Sequence, residues 1–548
     1  MLLFDDVRES IIRACRKVVP DVSSKDLDTD RTGHADFSLK LFRLSGKPDF
    51  DQLKESIVTI LRSESYVDSV AVEGKYLNIK VKDLSYLNIM DISIKEKGVF
   101  PDTFQDPERV LLEHTSTNPT GPIHIGRSRN SIVGDSLSRV LKRYGYRVST
   151  QYFVNDTGKQ VMGLYLGYRE SKDRIVDIPH LLDGYRKVYR KIEEDKGKER
   201  EIEALIKKYE SGDPAVVREV REICTVMLKG IISSLSRIGI KIDDYVWESG
   251  FLKSEEMNDV LSALSERIKT ENDAQYIELS NGSKVFLRRA DGTSLYTLRD
   301  LAYHKFKSLN YDWLIDVLGE DHRDYAKSLN EILEEMVNLR SKVSFVFYSF
   351  ISLDSGKMST RSGNVVTLDE LIEKAEQNAL EIVKSKRPDL PDDDQHKIAG
   401  AVAVSAIRFQ IAKISLGKEL VFKWSEALNL EGDSAPYIMY SYARTTKILK
   451  EARNDGKINT VFDKYESSLV RMLYLYPYSL QAAKDGLRVD PIASYVLELV
   501  RSFNDFYNNC RVVGSGEHEV KRAKIVNIYR HVLKDACYLL GITLLDEM

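Results

Sequence analysis

Apolar residues recur along this chain with two different periods, and the places where the period changes divide it. At the start, Leu3, Val7, Ile11, Ile12 and Val18 fall at helical spacing with charges between them, which predicts an amphipathic helix. Residues 35–42 alternate, with Phe37, Leu39 and Leu41 on one face, and predict a strand. A helix is expected around residues 52–61. Residues 70–81 then alternate about Glu73-Gly74, a hairpin signal. The first hundred residues therefore predict a small α+β domain.

A different order begins at Val110-Leu111-Leu112, a short apolar run that predicts a buried strand. A loop of small and polar residues follows and ends in His124-Ile125-Gly126-Arg127. Apolar residues at Ile132, Val133, Leu137, Val140 and Leu141 then mark one helix face, with Gly145 as the expected C-terminal cap. Residues 146–153 predict the next strand, so this stretch is one βαβ unit. Residues 166–250 are charge-dense and helical and predict an insertion. Asn281-Gly282 and Asp291-Gly292 mark a hairpin returning to the core. Strands are expected at 312–319 and 343–350, around a helix carrying Leu329, Ile332, Leu333 and Met336. Alternating strands and helices predict a parallel α/β sheet.

From about residue 375 strand signals vanish. The helical tail carries Tyr437, Tyr440, Tyr442, Tyr474, Tyr476, Tyr478 and Tyr507 among basic residues. Most tyrosines at helical spacing pack in a bundle core, leaving a few for the surface. The expected organisation is α+β for 1–105, Rossmann-type α/β for 106–375 with the insertion at about 166–250, and all-helical for 376–548.

Composition changes this picture little. A length of 548 residues suits three to four domains, and 43% apolar content is enough for proper cores. No long uninterrupted apolar stretch indicates a membrane span, and the first helix lacks the basic start and apolar block of a signal peptide. Cys15, Cys224, Cys510 and Cys537 are scattered with no close pair, which points to a reduced, cytoplasmic chain without a zinc site. The 81 basic and 84 acidic residues nearly cancel, so any nucleic-acid partner must be met by local surfaces.

The chemistry concentrates where the strand ending near Leu112 hands over to a helix. Free N–H groups and the helix dipole there favour a bound phosphate, and Gly126 lets a nucleotide approach the backbone. Far downstream, Lys357-Met358-Ser359-Thr360-Arg361 lies among small residues, a loop able to close cations over a triphosphate. Gly319-Glu320-Asp321-His322 ends a strand, the usual place for ligand contact in an open α/β sheet.

Together, His124-Ile125-Gly126 and Lys357-Met358-Ser359 resemble the HIGH and KMSKS signatures of class I aminoacyl-tRNA synthetases. The surrounding words Glu113-His-Thr-Ser-Thr-Asn118-Pro, Ser294-Leu-Tyr296-Thr-Leu-Arg-Asp300 and the stretch from Leu430 to Arg444 narrow the resemblance to the arginyl family, most like its archaeal members. It covers nearly the whole chain. The resemblance implies ATP-dependent activation of L-arginine and its transfer to tRNA(Arg), with magnesium arriving on the ATP phosphates and the chain acting as a monomer.

It also implies roles. His124, Arg127, Lys357 and Arg361 would serve the phosphates. Ser116, Gly126, Asp321 and Met358 would help hold ATP. Glu113 and Asn118 would hold the α-amino group, Tyr296 and Asp300 the guanidinium, with His322 nearby. Tyr440, Arg444 and Met548 would face the tRNA, and the N-terminal domain would either contact the tRNA elbow or serve only as packing. Two departures stand out: Arg127 replaces the second histidine of HIGH, and Thr360 replaces the second lysine of KMSKS. Arg127 either contacts phosphate with a longer reach or points away and leaves more to His124. Many arginyl enzymes carry a lysine shortly before HIGH instead of KMSKS; here that region has none, which makes Lys357 and Arg361 the candidates for pyrophosphate.

Overall fold

The five strands that organise the molecule are β1 (Arg109–Glu113), β2 (Arg147–Val154), β3 (Asp244–Trp247), β4 (Trp313–Gly319) and β5 (Lys342–Tyr348). The structure is a computed structural model, which describes the chain except residues 1–4, 30–34, 43–47, 98–106, 195, 338, 354–365 and 454. The strands form one parallel sheet in the order β5-β4-β1-β2-β3. All five strands run the same way, but strands are added on one side of β1 and then, from β4 onward, on the other; a ligand crevice forms at the carboxyl ends of strands at such a switch point. Glu113 and Asp316 are direct partners across that pair of strands.

Helix α1 (Ile125–Tyr144) leaves from β1 and is nearly all buried, as its position under both the sheet and the C-terminal helices requires. It ends on Gly145 at φ +110°, the left-handed cap anticipated from the sequence. The charge-dense insertion is the crossover from β2 to β3: helices Gly158–Glu170, Ile178–Glu194, Lys196–Ser211 and Pro214–Arg237, with an apolar core of their own. A three-stranded antiparallel sheet (Lys269–Glu271, Ala274–Glu278, Lys284–Arg288) then leads into α2 (Tyr296–Ser308).

The N-terminal domain is an antiparallel sheet with helices Asp5–Arg16, Phe50–Ser63 and Asp83–Lys97. Its hairpin turns at Gly74, where φ is +59°. This domain docks on the C-terminal helices: Tyr86 lies 4.2 Å from Tyr474, Arg471 reaches Asp36 and Asp83, and Lys524 pairs with Asp91.

Beyond residue 375 the described chain is helical with one exception. Leu420–Phe422 pairs in parallel with Ile351–Leu353, a short ribbon too brief to leave a pattern in the sequence. No described helix is long and apolar enough to cross a membrane.

Candidate functional site

His124 sits at the N-cap of α1 in extended conformation, and its ring makes no capping bond to the helix. A Cβ on residue 126 would come within 3.1 Å of that ring, so Gly126 makes room for His124 as well as for any ligand. Burial, reinforced by Arg127, lowers the His124 pKa to about 4, which keeps the ring neutral and leaves it one N–H to donate. Among the described residues the Arg127 guanidinium has no hydrogen-bond or ion-pair partner, and it lies half-buried one step into the helix.

Lys357, Met358 and Arg361 fall outside the described residues, but both ends of their segment are fixed to α1. On the far side, the Ile125 N–H donates to Val366 O at 3.1 Å, the Leu368 N–H to Ile123 O at 2.8 Å, and His124 forms a β-bridge with Thr367. On the near side, the fully buried Arg129 donates to the carbonyls of Ser349, Ile414, Ser415 and Lys418. This clamps α1 to the ribbon that opens the segment. No local pattern in the sequence marks Arg129 for this role.

The loop from β1 to α1 holds a strained turn. Thr115 has φ +74° and Ser116 φ +33°. The Ser116 N–H closes a three-residue turn onto His114 O at 3.0 Å, a geometry costly for a β-branched residue. It is held by α1: Asn130 Oδ1 accepts the Thr115 N–H at 2.7 Å while Asn130 Nδ2 donates to Val317 O at 2.8 Å. The Thr115 hydroxyl also donates to Ser131 Oγ. Ser116 Oγ donates to Glu113 at 2.9 Å and accepts the Phe153 N–H at 3.0 Å.

Glu113 continues into a buried chain of charges. Lys307 Nζ donates to Glu113 Oε2 at 3.0 Å and to Asp316 Oδ1 at 2.9 Å. His304 Nε2 lies 2.9 Å from Asp316 Oδ2, and its Nδ1 lies 3.1 Å from Asp300 Oδ1. Tyr325 OH donates to Asp300 Oδ2 at 2.6 Å. Burial raises Glu113 above the ordinary carboxylate value despite Lys307. Burial also pulls Asp300 and Asp316 upward, but their cationic neighbours outweigh it and hold both low.

Tyr296, four residues before Asp300 on α2, is well exposed, its ring 5.2 Å from that of Tyr325. Arg299 is turned away to Glu248, so it is not the partner of Asp300. Asn118 donates to Gln160 of the first insertion helix at 2.7 Å. Asp321 and His322 stand exposed on the turn after β4, 3.8 Å apart.

None of Lys307, His304 and Asp316 emerges from motif reading. The signal was nonetheless present. Tyr296, Asp300, His304 and Lys307 lie at i, i+4, i+8 and i+11, one polar stripe along a helix, and Asp316 is a lone carboxylate in an apolar strand.

A second concavity lies in the C-terminal domain. It encloses about 730 Å³ and brings together Tyr440, Arg444 and Met548 with Tyr437, Asn504 and Asn508. The Arg444 guanidinium lies over the rings of Tyr440 (4.5 Å) and Tyr507 (5.0 Å) and donates to Asn504. Tyr442, Tyr474 and Tyr476 are buried, whereas Tyr440 and Tyr507 are exposed.

Comparison with known proteins agrees with this layout. Residues 90–424 match the family model of the class I (R) tRNA synthetase catalytic domain, and residues 438–548 match the DALR anticodon-binding domain. The arginine–tRNA ligase of Thermoplasma acidophilum is 47% identical over the full length of both chains, and that of Methanocella arvoryzae 35% over 98% of each. In fold the chain is similar to Thermus thermophilus arginyl-tRNA synthetase, with a TM-score of 0.82 at 24% identity over the whole of both chains. With more than half of its length matched by the catalytic-domain model and relatives 47% and 35% identical along essentially the whole chain, the chain belongs to the class I arginyl-tRNA synthetases.

Proposed function

We infer that the chain joins L-arginine to tRNA(Arg) in two steps. The arginine carboxylate attacks the α-phosphorus of ATP, a new P–O bond forms, and pyrophosphate leaves. A hydroxyl of the 3′-terminal adenosine then attacks the acyl carbon and AMP leaves. The carboxylate is already an adequate nucleophile, so the first step depends on positioning and charge stabilisation more than on a base.

In this reading, neutral His124 donates its N–H to the phosphate in the transition state, beside the N–H groups at the start of α1. Arg127, Lys357 and Arg361 supply charge to the departing pyrophosphate, and magnesium enters on the phosphates as part of the substrate. Ser116, Gly126, Asp321 and Met358 border the nucleotide. Asn118 and Glu113 take the α-amino group, and an ammonium arriving there favours the charged form of the Glu113 carboxyl. Asp300 takes the guanidinium in fork geometry with Tyr296 against its face, and His322 borders the same space. The C-terminal cleft receives RNA bases on Tyr440, Arg444 and Met548. Domains spanning 1–105, 106–375 and 376–548 then act as one monomer in the cytoplasm, on tRNA, active site and anticodon arm together.

One observation carries this reading: two carboxylates, Glu113 at the end of β1 and Asp300 in the first turns of α2, are joined through Lys307, Asp316 and His304. Pyrophosphate exchange in the presence of tRNA(Arg) tests it, with arginine and its neutral isostere citrulline as substrates. Arginine is expected to support exchange at least about a hundredfold better. Equal rates would overturn the assignment.

A further inference from the structure

We propose that His304 is held as a buried imidazolium that couples the two ends of the arginine site, positioning Asp300 for the guanidinium without touching the substrate. This rests on the assignment of Glu113 and Asp300 to arginine. An ionised carboxylate only accepts, and a neutral imidazole carries a single N–H. Both ring nitrogens of His304 face such acceptors: Nε2 meets Asp316 of β4, and Nδ1 meets the carboxylate and the carbonyl of Asp300 on its own helix. A neutral ring would leave one nitrogen lone pair pointing at an oxygen in a site that is 1% exposed. A second proton on the ring satisfies both.

The remaining neighbours fit. Lys307 of the same helix lies between Asp316 and Glu113 of β1, and Tyr325 of the following helix donates to the other oxygen of Asp300. The order is carboxylate, cation, carboxylate, cation, carboxylate, and the two end carboxylates are the most accessible of the five groups. Side-chain exposure is 12% at Glu113 and 25% at Asp300, against 0%, 7% and 1% for Lys307, Asp316 and His304. The two cations thus fix the spacing and orientation of the outer carboxylates from below. Burial and Lys307 oppose the charged ring, yet Asp316 and Asp300 outweigh them and raise its pKa to about 9. The ring of Tyr303, the preceding residue, lies edge-on to it at 6.1 Å.

The full-length chain labelled with 15N-histidine provides the first test. At pH 7 one resonance set should show both ring nitrogens protonated and should vanish in His304→Gln. A neutral tautomer at that position would overturn the proposal, whether or not the variant folds. Kinetics provide the second. His304→Gln should raise KM for arginine about tenfold, the scale of one charge-assisted contact, with KM for ATP and kcat nearly unchanged. As pH rises from 7 through about 9 the variant-to-wild-type ratio of that KM should fall toward one, because the wild type loses the same proton. Titration of the substrate's own amino group cancels in the ratio. An unchanged arginine KM, or a ratio flat with pH, overturns the coupling. If Asp300→Ala also leaves arginine KM unchanged, the arginine assignment itself has failed. If Asp300→Ala raises it and His304→Gln does not, only the coupling has.

Discussion

The crevice at β1 and β4 and the cleft around Arg444 are both lined with charged and aromatic side chains, but they are built on opposite plans. In the crevice the charges from Glu113 to Asp300 are locked to one another: Lys307 touches Glu113 and Asp316, His304 touches Asp316 and Asp300, and the strained turn at Thr115 is held by Asn130. In the cleft Arg444 is held by two exposed rings and one amide, with no carboxylate partner among its described contacts. The first plan suits a small ligand whose cationic groups must meet fixed charges at fixed spacing. The second suits flat bases, for which stacking is tolerant and each ring is worth a modest amount. Rigidity follows the size of the discrimination required.

That contrast can be broken most severely in the crevice. Asp300→Asn keeps the shape but removes the charge that faces His304 and that we propose receives the guanidinium. KM for arginine should rise by roughly two orders of magnitude or more, the cost of breaking a buried charge pair, while KM for ATP changes little. Steady-state kinetics with each substrate varied separately will decide, and equal effects on both substrates would refute the role. His124→Ala should lower the rate of adenylate formation by about two orders of magnitude, the scale of one transition-state donor. Here single-turnover measurement is needed, and a near-normal rate would mean that Arg127 carries the phosphate instead.

In the cleft the same kind of truncation should do less. Tyr440→Ala removes one stacking face and one wall of Arg444, and should raise KM for tRNA about tenfold with exchange kinetics for arginine and ATP intact. A loss in exchange equal to the loss in charging would show that the two regions are not separable in this way.

The two plans also differ in how far they could be read in advance. The βαβ unit, the glycine cap at Gly145 and the strand ends near Leu112 and at Gly319 were legible because periodicity and turn chemistry are local. Tyr440 and Arg444 were legible as a motif and meet in one cleft. Hidden were the contacts that join distant segments: Arg129 to Ser349 and Lys418, Asn130 to Val317, Lys307 to Glu113, Asn118 to Gln160. Each depends on which strand lies beside which, and no local pattern states that. The positive φ at Thr115 was unreadable for a related reason, since a β-branched residue adopts it only when tertiary contacts impose it.

The smallest expected effect separates the two plans by pH. His304 has a raised folded pKa, so its contribution to stability is complete below the unfolded value near 6.5 and is lost as pH climbs through about 9. His114, wedged against Gly134, and His124 are both lowered by burial to about 4, so theirs is complete above 6.5 and is lost as pH falls toward 4. The melting temperature should therefore pass through a maximum between these limbs, each side falling by a few degrees. His304→Gln should flatten the alkaline limb and leave the acid limb in place. Tyr440→Ala should leave the shape of both unchanged, because the cleft contributes no such histidine. A curve altered equally by both substitutions would mean that the buried charges do not act as a unit confined to the crevice.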